Sequence, residues 1–145
     1  MELYEMKSGL EKAHLLLDEL YVSADIDVLK REIEGLTIQT LDENFWNDQN
    51  KAKKIYNQLN AMKEIADTND ELNQLYNDLV ETYEFVKETE DEEFFESLQN
   101  DFIDFHQKLD HYEKMLLFSE EYDHHNAILE IHPGAGGTES QDWAA

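Results

Sequence analysis

Residues 89–116 read TEDEEFFESLQNDFIDFHQKLDHYEKML, and the spacing of their apolar side chains decides the fold class. Phe94, Leu98, Phe102, Phe105, Leu109, Tyr112 and Leu116 recur at intervals of three and four, which sets them on one stripe of an α-helix. Ahead of the stripe, Thr89-Glu90-Asp91-Glu92 has the form of a capping box. Acidic residues crowd this first turn, where the free N–H groups and the helix dipole favour negative charge. A tight turn at Thr89 folds the helix back, antiparallel, on the one before it.

That preceding helix is legible upstream. Ala52, Ile55, Leu59, Met62 and Ala66 form one stripe; Leu72, Leu75, Leu79 and Val86 form another, slightly rotated. Thr68-Asn69-Asp70-Glu71 resembles a capping box and argues for a break. No Gly or Pro lies between residues 48 and 88, however. One long helix is therefore expected, kinked at most, about 60 Å in length at about 1.5 Å per residue. Residues 42–48, DENFWND, read as a connection, with Asn47 or Asp48 as the cap of the long helix.

Further upstream, Leu3, Met6, Leu10, Ala13, Leu17 and Leu20 make an N-terminal stripe, and Ile26, Leu29, Ile33 and Leu36 continue its spacing. Asp25 is placed to cap the second of these segments by accepting from exposed backbone N–H groups. Gly35 weakens that segment by about 1 kcal/mol relative to Ala without breaking it. The expected fold is all-α: a long antiparallel helical hairpin with N-terminal helices against its groove, a three-helix bundle.

After Tyr122 the period changes. Residues 127–132, AILEIH, form a short β-prone run closed by Pro133 and a Gly cluster. A lone strand does not stabilise itself. The expected organisation is an acidic helical domain over 1–122, followed over 123–145 by a linker and the first strand of a truncated α/β second domain. The chain is expected to be a piece of a longer one.

Composition narrows the function. Among 145 residues, 35 Asp and Glu face 11 Lys and Arg, a formal net charge of −24. The single Arg is Arg31. Nucleic-acid binders depend on clustered positive charge, so direct, high-affinity RNA or DNA binding by this chain alone is not expected. With no Cys there is no disulfide framework and no thiolate chemistry. No apolar run approaches the roughly 18–20 residues that span a bilayer, and the N-terminus lacks the order of a secretory signal, so a cytoplasmic address without membrane contact is expected. The apolar content of 41% and aromatic content of 11% are too high for a disordered acidic chain.

Candidate sites are few. The acidic stretch Glu81–Asp104 lacks the interleaved Gly of a calcium loop and reads as a solvated helix face. His124, His125 and His132 match no zinc-ligand spacing, and His106 and His111 read as helix-surface residues. Gly134-Ala135-Gly136-Gly137-Thr138 follows the β-prone run but lacks the Lys of a phosphate loop; Thr138 is better placed to cap a helix starting at Glu139. Phe45-Trp46 beside Lys51, Lys53 and Lys54 is the one meeting of aromatics with positive charge. It reads either as a contact surface for RNA or an acidic partner or, with the greater weight, as a plug at the end of the bundle. No catalytic, cofactor-binding or metal-binding residue is assigned, and no cofactor is expected.

The stretch Ala127-Ile128-Leu129-Glu130-Ile131-His132-Pro133-Gly134-Ala135-Gly136-Gly137-Thr138-Glu139-Ser140-Gln141-Asp142-Trp143 closely resembles the start of the second domain of the release factor 2 family of bacterial class I peptide chain release factors. Glu121-Tyr122-Asp123 and Asn44-Phe45-Trp46-Asn47-Asp48-Gln49 resemble the same family. His125 departs from it, since the family often has Asn there. The resemblance implies translation termination at UGA and UAA codons. It also implies a Ser-Pro-Phe tripeptide that reads the codon and a Gly-Gly-Gln loop that promotes hydrolysis of the peptidyl-tRNA ester. Neither motif occurs in these 145 residues, since Gly136-Gly137 is followed by Thr138. The stretch is therefore expected to be non-enzymatic and monomeric. It would supply a helical first domain that lies toward the GTPase-associated centre of the ribosome. The competing reading, from the residues alone, is a free-standing coiled-coil or helical-bundle adaptor that binds a partner protein.

Overall fold

The computed structural model describes residues 1–125, with side chains described through residue 119. The described chain is all-α. Its elements are α1 (Leu3–Ser23), α2 (Ile26–Thr40), a single 3-10 turn (Phe45–Asn47), α3 (Gln49–Thr89) and α4 (Glu92–His125). The expected strand over 127–132, the Gly134–Thr138 turn, the helix start at Glu139, His132 and Trp143 lie outside the described residues. The chain divides into two compact units, Met1–Leu109 and Asp110–Ala145.

In the first unit, α3 is one continuous helix of 41 residues. The break suggested by Thr68-Asn69-Asp70-Glu71 is absent because Asn69, only 2% exposed, fills the position that joins the two stripes. Ala52, Leu59, Met62 and Ala66 on one side and Leu72, Leu79, Tyr83 and Val86 on the other are all buried. The Asn69 carbonyl accepts a hydrogen bond from the Asn73 side chain at 2.8 Å, so the polar residue is absorbed into the helix rather than capping a new one.

The N-terminal rod is two helices. Met6, Leu10, Ala13, Leu17 and Leu20 of α1 are buried as the stripe predicts, with Leu3 half-exposed at the end. On α2 only Ile26 is fully buried; Leu29, Ile33 and Leu36 are half-covered, so this short helix lies at the margin of the core. Asp25 stands at the α2 N-cap as expected, but its side chain makes no capping bond. It instead adopts left-handed backbone at φ 53°, a conformation that Asp tolerates better than most residues. Lys30 on α2 reaches Asp70 on α3, donating to both carboxylate oxygens at 2.9 and 3.1 Å.

Leu98, Phe105 and Leu109 on α4 are 0%, 2% and 2% exposed and close the core against the other helices of this unit. Phe102 packs over Gly9 of α1 so closely that a Cβ there would stand 2.7 Å from the ring. The Gln99 side chain donates to the Met1 carbonyl at 3.4 Å, and Lys108 to Glu71 of α3 at 3.5 Å. The stripe departs from expectation at its start: Phe94 is 48% exposed and lies outside the core.

In the second unit α4 runs on through His124 and His125. Lys114 and Asp110 pair one turn apart at 3.1 Å, and Leu117 and Phe118 are exposed. Among the described residues, no helix is long and apolar enough to cross a membrane.

Candidate interaction surfaces

Two surfaces of the first unit differ in kind from the rest, one at each end of α3. The first is the hairpin tip. Helix α3 ends at Thr89, and Glu90 turns the chain in left-handed backbone, φ 57°, while its N–H still bonds to the Val86 carbonyl at 2.7 Å. Asp91, not Thr89, is the cap of α4: its Oδ1 accepts from the N–H groups of Glu93 and Phe94 at 2.9 and 3.0 Å. Thr89 remains helical and donates its hydroxyl to the Phe85 carbonyl at 2.8 Å. The reversal takes two residues, which is why one turn can hold two helices antiparallel.

At this tip Phe85 and Phe94 meet edge to face, centroids 4.9 Å apart, and each keeps nearly half its surface in solvent. A shallow hollow floored by Leu3, Val86 and Phe95 is rimmed by Glu90, Asp91 and Glu92. From 81 to 104 there are ten carboxylates and one cation, Lys87. Apolar contacts set in a field of negative charge suit a partner surface that carries Lys or Arg, whose aliphatic stems lie on the rings while their heads meet the acids. Among the described residues, no three His, Asp or Glu converge as metal ligands do.

The second surface lies at the opposite end. Trp46 is 50% exposed and does not plug the bundle, whereas Phe45 is largely covered. Two hydrogen-bonded turns around the short 3-10 segment, Phe45 N–H to the Asp42 carbonyl and Asn47 N–H to the Asn44 carbonyl, set the Trp46 ring outward. Phe45 contacts Trp46 edge to face at 4.8 Å, and Trp46 lies 5.9 Å from the ring of Tyr56 on α3. Asp48 caps α3 by accepting from the Lys51 N–H at 3.1 Å. The composition of the helix that follows went unread in the sequence: from 49 to 63 there is no Asp or Glu, and four of the 11 cations, Lys51, Lys53, Lys54 and Lys63, stand there. Counting the sign of charge along the chain would have found it. His106, by contrast, is an exposed residue stacked at 6.2 Å on Phe102, as a helix-surface position should be.

The family model of the PCRF domain matches residues 29–145, and the chain belongs to that family. Among curated proteins, it is 39% identical over 145 residues to peptide chain release factor 2 of Listeria innocua, covering 100% of this chain and 40% of that one. It is 40% identical over 144 residues to peptide chain release factor 2 of Staphylococcus aureus, 99% of this chain and 39% of the relative. It is 37% identical over 145 residues to peptide chain release factor 2 of Staphylococcus haemolyticus, of which it covers 39%. The chain thus spans about two fifths of the length of these relatives.

Proposed function

We propose that this chain is the acidic first domain of a release factor 2, with residues 123–145 opening an α/β second domain, and that the whole factor terminates translation at UGA and UAA on the cytoplasmic ribosome. The observation that carries the reading is identity of about two fifths that extends across the entire chain to relatives of that name. Hydrolysis of the peptidyl-tRNA ester falls to a Gly-Gly-Gln loop, a tripeptide these 145 residues do not contain. The domain works as a monomeric arm and not as an enzyme. Its acidic tip meets basic ribosomal protein on the side of the GTPase-associated centre, while the same charge keeps this half of the arm from adhering to phosphate.

The test uses the full-length factor, with the ten Asp and Glu of 81–104 changed to Asn and Gln. On ribosomes programmed with UGA, UAA or UAG, the unaltered factor should release peptide at the first two codons and not the third. The neutralised form should need several-fold more factor for half-maximal release and should retain more bulk RNA. Unchanged half-saturation would sink the role of the tip; release at UAG, or none at UGA, would sink the assignment to release factor 2.

A further inference from the structure

The basic end of α3 has no task in the reading above, and its geometry is that of a different kind of contact. We propose that Trp46, Tyr56, Lys53 and Lys63 form a binding surface for single-stranded RNA, the rings stacking on bases and the ammonium groups meeting phosphates.

Four observations carry this. First, the rings are available: Trp46 and Tyr56 are 50% and 44% exposed while standing 5.9 Å apart. Large aromatic rings held half-open in a pair are platforms for a planar base. Second, position on the helix places charge beside them. Lys53, Tyr56 and Lys63 follow the three–four spacing of one ridge, next to the buried line of Ala52, Leu59 and Met62. Lys51 and Lys54 lie about 140° and about 160° around the helix from Tyr56 and belong to its other side.

Third, the four lysines are not neutralised. Among the described residues none of them has a carboxylate within 4.0 Å, whereas Lys30, Lys108 and Lys114 do. Two of the nearby acids are engaged elsewhere: Asp42 accepts from the Asn44 N–H at 2.8 Å and Asp48 from the Lys51 N–H at 3.1 Å, while Glu43, Glu64 and Asp67 border the patch. The adjacent end of α2, residues 35–41, also carries no acid. Fourth, distance separates this end from the acidic tip. Glu81 lies 18 residues beyond Lys63, about 27 Å along the helix at about 1.5 Å per residue. The screening length at about 0.15 M salt is only about 8 Å. The acidic tip is thus screened from this end of α3, where residues 49–63 carry lysines and no Asp or Glu.

An acidic protein would satisfy the lysines equally well, but it would leave the paired rings without a planar partner. Lysine rather than arginine also suits backbone phosphate without base-edge reading, so the contact is expected to be indifferent to sequence.

The test uses the 145-residue chain carrying Trp143→Phe, which leaves Trp46 as the sole indole. A 12-nucleotide oligouridine is titrated at about 0.15 M salt, with a 12-residue oligoglutamate as the competing probe. The expected result is quenching of Trp46 emission by the RNA and not by the peptide. Tyr56→Leu should weaken binding at least about fivefold, in line with the loss of one stacking ring. Lys53→Gln with Lys63→Gln should flatten the salt dependence by about 0.7 in log–log slope per lysine. Lys7→Gln with Lys12→Gln, on the acidic α1, should change neither. Tyr56, Lys53, Lys63, Lys7 and Lys12 are exposed, and helicity by circular dichroism checks that each variant is folded. The proposal is overturned by quenching with oligoglutamate alone, by no quenching with RNA, or by an unaltered salt slope in the Lys53/Lys63 variant.

Discussion

At the scale of single residues, polar groups at the ends of helices take roles that their type alone does not announce. Tyr21 donates its hydroxyl to Asp27 across the α1–α2 junction. That hydrogen bond first, then desolvation and the charges of Asp27 and Asp70, holds the phenol above its ordinary value of 10.0. The sign follows from the proton count. Below pH 10.0, where the phenol of the unfolded chain is also protonated, the stabilising contribution is complete; it is lost as pH rises through the elevated folded value. Tyr21→Phe should therefore show a smaller fall in melting temperature between about pH 8 and about pH 11 than the parent. Tyr76, raised by burial and by Asp18 and Glu11, contributes in the same direction. An equally steep alkaline fall in the variant would remove Tyr21 from the account.

At the scale of elements, two glycines inside helices separate helix propensity from packing. Gly35 of α2 has nothing within 4 Å of where a Cβ would stand, while Gly9 of α1 has the Phe102 ring at 2.7 Å. Gly35→Ala should stabilise the fold by about 0.5–1 kcal/mol, because it limits the unfolded chain and meets no neighbour. Gly9→Leu should destabilise by about 1–3 kcal/mol, since the Phe102 ring must be displaced from α1 to admit the side chain. Urea titration of both variants measures the two signs directly. A stabilising Gly9→Leu would mean that α1 and α4 do not pack as described. The same scale explains the hairpin. Two adjacent residues divide the work, Glu90 supplying the left-handed reversal and Asp91 the cap. The capping-box pattern located the turn correctly but assigned the cap two positions early. Thr89 still had backbone bonds to gain inside α3.

At the scale of the whole molecule, 35 acids against 11 bases make self-repulsion a general cost to the compact state. Ion pairs relieve little of it. Lys30–Asp70 and Lys108–Glu71 are surface contacts of the class worth about 0–1 kcal/mol each. Raising NaCl from about 0.01 to about 0.15 M shortens the screening length from about 30 to about 8 Å, so the melting temperature should rise and then level off. A melting temperature that falls over this range would mean that specific pairs, and not net repulsion, dominate the electrostatics. The distribution matters as much as the sum. One end of α3 carries four lysines that, among the described residues, have no carboxylate within 4.0 Å, and the other an acidic tip, so the helix presents surfaces of opposite sign.

The all-α class, the single long helix, the position of the hairpin turn and most of the core could be read from spacing alone. A buried stripe must recur every three or four residues whatever the helix packs against. The family was legible too, in runs that keep their residue types. Tertiary structure decided what spacing leaves degenerate. Asn69 joined the buried line of α3, Phe94 left that of α4, and α2 kept only Ile26 fully covered. Trp46 came to stand half in solvent beside Tyr56, although its residue type favoured the core. Periodicity defines a face for each helix; how much of that face is covered depends on where the neighbouring helices end, and no single helix carries that information.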